Sequence, residues 1–142
     1  MANKFHKSLY LIKNKNKYIG RKQPICRSSW ESTFCMFLDN HPSILQWASE
    51  PFPIPYRDPL TNKQKNYWPD FLMIYIDKDG TKHGEIVEIK PSSQSGIKKT
   101  KSALNNAQII KNHAKWESCL AYCAKNGLRF RLITEKELGF VK

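Results

Sequence analysis

The stretch from Tyr67 to Lys90 limits what this chain can fold into more than any other. Phe71-Leu72-Met73-Ile74-Tyr75-Ile76 reads as a strand, Asp77-Lys78-Asp79-Gly80 as its turn, and Gly84-Glu85-Ile86-Val87-Glu88-Ile89-Lys90 as the strand returning beside it. Side chains on a strand alternate between faces, so Glu88 and Lys90 point one way while Val87 and Ile89 fill the other face. A hairpin returns its second strand to where the first began. Glu88 and Lys90 are therefore expected beside Pro69-Asp70, with two carboxylates and an ammonium in one small volume.

That set suits metal-assisted hydrolysis of a phosphodiester. Two carboxylates match a hard divalent cation such as Mg2+, which keeps several waters and takes the rest of its shell from substrate phosphate. A lysine two residues on can orient the attacking water and offset charge building on the phosphorus centre. A bare Glu-x-Lys has a plainer reading, an edge strand carrying solvated charges. Pro69-Asp70 at hairpin distance tips the balance toward a site.

The charge balance agrees. Among 142 residues, 24 Lys and Arg face 12 Asp and Glu, a formal net charge of +12, which calls for a polyanionic partner. Nucleic acid leads over a membrane surface, because no basic amphipathic helix stands out. No apolar run reaches the length of a membrane span and the lysine-rich start lacks the apolar centre of a signal peptide, so the chain reads as cytoplasmic. Cys26, Cys35, Cys119 and Cys123 match no compact zinc knuckle and are expected as buried thiols.

In chain order, residues 1–24 form a basic arm holding Lys13, Lys15, Lys17, Arg21 and Lys22, ahead of a domain over residues 25–142. The arm reads as extended and as a candidate for phosphate contact together with Arg27, with Tyr10 and Tyr18 hinting that part of it docks on apolar surface. A first helix starts after Ser28, with Trp30, Phe34, Phe37 and Leu38 as its apolar stripe, and stops near Asn40. Ser28-x-x-Glu31 is a capping box, and Glu31 can also face the hairpin's open end, since the two roles are compatible. Ile44 to Trp47 reads as a short strand and the proline-rich run to Tyr56 as an extended continuation, followed by a polar loop to Lys65. Lys98, Lys99 and Lys101 follow the Glu-x-Lys in a loop where a substrate backbone would pass. A long helix from about Ala103 to Lys125 carries Ile109, His113, Trp116, Leu120 and Cys123 on one face, Gly127 caps it, a last strand runs from Leu128 to Ile133, and a short helix starts at Thr134. The result is an α/β domain with a mixed central sheet flanked by helices.

Glu31, Pro69-Asp70 and Glu88-Ile89-Lys90 together resemble the PD-(D/E)xK nuclease superfamily, whose core is a helix, a mixed four-stranded sheet and a second helix. Within it, Arg27-Ser28-Ser29-Trp30-Glu31, Trp47-Ala48-Ser49-Glu50-Pro51, Ile54-Pro55-Tyr56, Tyr67-Trp68-Pro69-Asp70-Phe71 and Asn126-Gly127-Leu128-Arg129-Phe130 resemble the head-completion nucleases of T-even-type tailed phages. They are more distantly similar to the end-cleaving endonuclease subunit of heteromeric cut-and-paste transposons. The resemblance covers roughly residues 20–140. It implies that Asp70 and Glu88 hold Mg2+, with Mn2+ as a substitute, and that the Ile89 carbonyl is a further ligand. It also implies that Lys90 serves the attacking water, that Glu31 supports the site, and that Gln108 on the second helix helps to do so. The implied role is a DNA endonuclease that trims packaged phage DNA during head completion before the tail joins. It would work with head, portal or neck proteins in the host cytoplasm or in the virion head or neck. The alternatives are a structural head or neck component that binds DNA or portal without cleaving, and a transposon endonuclease.

Overall fold

The hairpin is the centre of the fold. A computed structural model of the chain describes residues 8–90 and 103–138. In order they form β1 (Ser8–Leu9), a 3-10 turn (Lys15–Lys17), β2 (Ile25–Cys26), α1 (Ser29–Asn40), β3 (Ile44–Ser49), β4 (Ile54–Asp58), β5 (Lys63–Tyr67), β6 (Phe71–Ile76), β7 (Lys82–Ile89), α2 (Ala103–Asn126), β8 (Arg129–Ile133) and α3 (Glu135–Leu138). β6 and β7 pair antiparallel from Phe71 opposite Val87 to Ile76 opposite Lys82. Gly80 closes their turn at φ +82°, a conformation that costs a residue without Cβ little. β3 joins β6 antiparallel and β8 joins β7 parallel, giving one mixed four-stranded sheet of order β3-β6-β7-β8.

Alternation along β6 and β7 divides the interior in two. Phe71, Met73, Val87 and Ile89 meet Phe34, Cys35 and Leu38 of α1, with Trp47 and Ile133, on one side of the sheet. Ile86 meets Trp116, Cys119 and Cys123 of α2 on the other, with Ile54, Tyr56 and Tyr67. Each fully buried large apolar side chain contributes about 1.5–3 kcal/mol relative to exposure. All four cysteines are free and buried, as their small apolar character leads one to expect. On the α1 side of the sheet, buried Glu85 takes both an Arg131 pair, at 2.5 and 3.0 Å, and the Tyr75 hydroxyl at 2.5 Å. Burial pushes its carboxyl up, but those bonds outweigh burial and leave it below the ordinary value.

Two expectations need correction. The polar loop after Tyr56 is a two-stranded ribbon, β4 with β5, paired from Ile54 opposite Tyr67 to Asp58 opposite Lys63. Lys63, Gln64, Lys65 and Asn66 are all exposed and only Tyr67 turns inward, so β5 lacks the apolar alternation that announces a strand. Leu120 is 53% exposed and Cys119 takes its place in the core, because the buried stripe of α2 runs through Ile109, Asn112, Trp116, Cys119 and Cys123. His113 is half-buried, with its ring 5.6 Å from that of Trp116.

The basic arm rests on apolar surface through Tyr10 and Tyr18, as those residues suggest. From residue 8 it is docked: β1 pairs with β2, and the rings of Tyr10 and Tyr18 stand 6.1 and 4.7 Å from that of Trp47. Its anchor is the fully buried Asp39 in the last turn of α1. That carboxylate accepts from the Tyr10 hydroxyl at 2.8 Å and from the backbone N–H groups of Lys13 at 2.8 Å and Asn14 at 3.0 Å. Burial pushes Asp39 up, but these donors outweigh it and hold the carboxyl below its usual range. Asp39→Ala is expected to cost about 2–3 kcal/mol in denaturant unfolding and to open the arm to trypsin at Lys13 and Lys15. A lowered folded-state pKa contributes stability above the unfolded value near about pH 4 and loses it as pH falls further, so arm docking weakens only in acid. An unchanged trypsin pattern in the variant would show that the aromatic contacts alone hold the arm.

Candidate active site

Asp70 lies one step beyond the Phe71–Val87 pair, opposite Glu88. The Ile89 N–H donates to Asp70 Oδ2 at 2.8 Å, and the Asp70 N–H reaches Glu88 Oε1 at 3.4 Å. Lys90 Nζ stands 3.3 Å from Glu88 Oε2, while its N–H donates to the Ile133 carbonyl at 2.9 Å, which keeps the chain aligned past the end of β7. Asp70, Glu88 and Lys90 therefore converge at the strand ends, where the hairpin register requires them. Burial, then the charges of Glu88 and Glu31, push the Asp70 carboxyl well above its ordinary value.

Glu31 forms one half of the expected capping box and lies within electrostatic reach of Glu88 and Asp70. Its N–H donates to Ser28 Oγ at 3.1 Å, the N-cap bond of α1. Its carboxylate accepts from the Arg27 N–H at 3.3 Å, one residue before the cap, and from Ser28 Oγ at 3.5 Å. The same carboxylate is half-buried, is raised by burial and by Glu88, and in turn raises Asp70. It thus caps the helix and adds negative charge to the cluster.

A cleft of about 310 Å³ opens onto these groups, lined by Asp70, Glu88 and Lys90 and also by Arg27, Glu50, Tyr56, Tyr67, Trp68 and Lys115. Several of these were not among the site residues that the sequence proposed. The Tyr67 hydroxyl donates to Glu88 Oε1 at 2.5 Å and fixes the carboxylate's rotamer; burial and Glu88 keep that hydroxyl protonated. Glu50 is a non-glycine residue at φ +46°, an uncommon conformation that clusters at functional sites. Its N–H donates to the Asp70 carbonyl at 2.9 Å and its carboxylate pairs with Arg27 and with Lys22. Lys115 comes from α2, with its ammonium 5.9 and 5.8 Å from the Tyr56 and Tyr67 ring centroids; burial and the neighbouring Lys90 lower its pKa. Tyr67 and Glu50 carried a sequence signal as members of the motifs that make the resemblance, and Lys115 carried none.

The candidate DNA-binding residues separate into groups. Arg27 lines the cleft and Lys22 stands at its rim, 4.8 Å over the Trp68 ring. Lys15 and Arg21 share a second groove with Lys22. Lys13 is exposed, but Lys17 donates to the Asp39 and His41 carbonyls at 3.0 and 2.9 Å, capping the C-terminal end of α1. Lys98, Lys99 and Lys101 lie outside the described residues. Gln108 gives its amide to Asn112 at 2.9 Å on the next turn of α2, two turns before Lys115.

The donor set fits a cation that needs few protein ligands. Among the described residues no cluster of three or more His, Cys, Asp or Glu side chains forms a metal cage. Asp70 and Glu88 offer carboxylate oxygens, the strand supplies backbone carbonyls, and a third carboxylate, Glu31, adds to their charge. Such a set suits Mg2+, which retains water and needs only one or two carboxylates. The repulsion that raises Asp70 is the kind a divalent cation relieves.

A helix on each face of a mixed four-stranded sheet, with Pro-Asp and Glu-x-Lys meeting at two strand ends, defines a nuclease of the PD-(D/E)xK type. Residues 41–135 match the family described as TnsA-like endonuclease N terminal, and the chain belongs to that family. The match includes Asp70, Glu88, Ile89, Lys90 and Gln108 and begins after α1, so Glu31 precedes it. The chain is also 32% identical over 145 residues to the head completion nuclease of Enterobacteria phage T4, covering 92% of this chain and 94% of that one.

Proposed function

We propose that the chain is a divalent-metal-dependent DNA endonuclease acting in phage head completion, where it trims packaged DNA before the tail joins. The observation that carries the chemistry is the convergence of Asp70, Glu88 and Lys90 in a cleft rimmed by Arg27, Lys22 and Lys115. Asp70, Glu88 and the Ile89 carbonyl are the groups that would hold Mg2+ or Mn2+. When bound, the cation supplies electrostatic stabilisation to the phosphate as charge builds there.

The chain's own groups do the rest. Tyr67 and the Asp70 N–H fix one Glu88 oxygen, leaving the other beside Lys90. Lys90, held against that oxygen, is placed to orient the attacking water and to release its proton toward the carboxylate cluster. Glu31 adds to the negative potential that makes the cluster a cation site. Lys115 and Arg27 present positive charge to the phosphate from the α2 side and the α1 side of the cleft. The similarity to a phage head completion nuclease supports placing this activity in virion assembly, with head, portal or neck proteins as partners in the host cytoplasm.

Incubating the protein with supercoiled and linear DNA in Mg2+ or Mn2+ tests the proposal. Nicking or cutting is expected in either metal and is expected to stop with chelator. Binding without cutting, on branched as well as duplex DNA, would overturn it in favour of a structural head or neck role.

A further inference from the structure

Trp68 leaves 44% of its surface in solvent, although it stands between buried Tyr67 and buried Pro69 and lines the cleft with Asp70, Glu88 and Lys90. Strand alternation explains the direction: Tyr67 turns inward at the end of β5 and the next residue turns out. The residues on both sides of the indole are held by hydrogen bonds. The Tyr67 hydroxyl donates to Glu88 at 2.5 Å, the Asp70 N–H reaches the same group at 3.4 Å, and the Asp70 carbonyl accepts from the Glu50 N–H at 2.9 Å. The Lys22 ammonium, on a side chain 53% exposed, lies 4.8 Å from the ring centroid. An aromatic surface and an exposed cation thus sit together two residues from Asp70. A single nucleotide uses that pair of groups, the aromatic for its base and the cation for its phosphate.

We propose that Trp68 and Lys22 form a subsite for one unpaired nucleotide beside the scissile phosphate, so that the substrate is DNA whose stacking is interrupted at the cut. This deepens the reading of the cleft as a DNA-cleaving site and rests on it. Inside a continuous duplex the neighbouring base pairs cover both faces of every base, so an indole can take a base only at a frayed end, an overhang, a branch or a flipped nucleotide. The cleft of about 310 Å³ is at the small end of the range for ligand pockets and suits one nucleotide rather than a duplex.

Binding of the full chain, measured by fluorescence anisotropy in chelator, separates this subsite from catalysis. The probes are a blunt duplex and the same duplex with a short single-stranded overhang of either polarity, with or without an abasic position at the junction. Native protein is expected to bind the better overhang about tenfold more tightly than the blunt duplex. Trp68→Ala is expected to abolish the preference while keeping its affinity for the blunt duplex, and Trp68→Phe to keep most of the preference. The abasic position should remove the preference in the native protein and change nothing further in Trp68→Ala. Equal affinity of the native protein for all the probes, or an equal loss on all of them in Trp68→Ala, would overturn the subsite. Failure to bind any DNA would overturn both the subsite and the nuclease proposal. An intact preference in a protein that does not cut when Mg2+ is added would remove only the latter.

Discussion

Asp70→Asn and Lys90→Ala are each expected to reduce DNA cleavage about a thousandfold while leaving the fold in place. Removing one preorganised electrostatic group from a site where charge develops typically costs a hundred- to a thousandfold, and loss of a cation ligand adds to that. The fold should survive because neither side chain is an apolar core element. Asparagine can still accept from the Ile89 N–H, and Glu88 without Lys90 keeps the Tyr67 hydroxyl and the Asp70 N–H. Asp70 is also electrostatically disfavoured where it stands, through burial and the charges of Glu88 and Glu31. In chelator, therefore, Asp70→Asn should melt at or above the native temperature. Added Mg2+ should raise the melting temperature of the native protein and leave that of Asp70→Asn nearly unmoved, since only a cation that binds the folded state stabilises it. Cleavage within tenfold of native in either variant, at matched folding, would place the chemistry elsewhere.

The affinity for DNA should be strongly dependent on salt. Lys22, Arg27, Lys90 and Lys115 surround the cleft. Four phosphate contacts give a slope of about −3.6 in log affinity against log salt, a loss of roughly 150-fold between 50 and 200 mM. The Glu50 pairs do not prevent this, because Lys22 and Arg27 are 53% and 47% exposed and exposed ion pairs exchange readily for phosphate. Lys22→Ala and Arg27→Ala should each flatten the slope by about 0.9, whatever the base sequence. A slope steeper than about −5 would bring Lys13 and Lys15 of the docked arm into the contact as well. A slope near zero would mean that the positive rim does not touch phosphate.

Much of the site was legible because it depends on local rules. An unbroken apolar run from Phe71 to Ile76 and a second apolar stretch within Gly84 to Lys90, with an Asp-Gly turn between, mark a hairpin, and its geometry is enough to bring Asp70 beside Glu88. Ser28 and Glu31 are three residues apart, so their capping bond is also a short-range matter. The parts that were not legible come from residues distant in sequence. β5 is a strand because it pairs with β4 and packs Tyr67 under Glu88, and its exposed polar residues give no sign of either. Asp39 looks like the polar end of an amphipathic helix until the arm brings it the donors of Tyr10, Lys13 and Asn14 from 25 to 29 residues away.

The sequence by itself determined the mixed α/β class, the capped first helix, the central hairpin and the meeting of its two carboxylates with Lys90. Those follow from backbone periodicity and from bonds between near neighbours, which a chain carries wherever it folds. Only the tertiary structure decided that Tyr67 would hold Glu88, that Lys115 would reach the cleft from α2, and that Glu50 would take a left-handed backbone to brace Asp70 and Arg27. It also decided that Lys17 would be spent on helix carbonyls while Lys22 stood over Trp68. Each of these depends on how separate elements pack, and packing is set by burial of the two cores and the pairing of buried polar groups, neither of which repeats along the chain in a readable period.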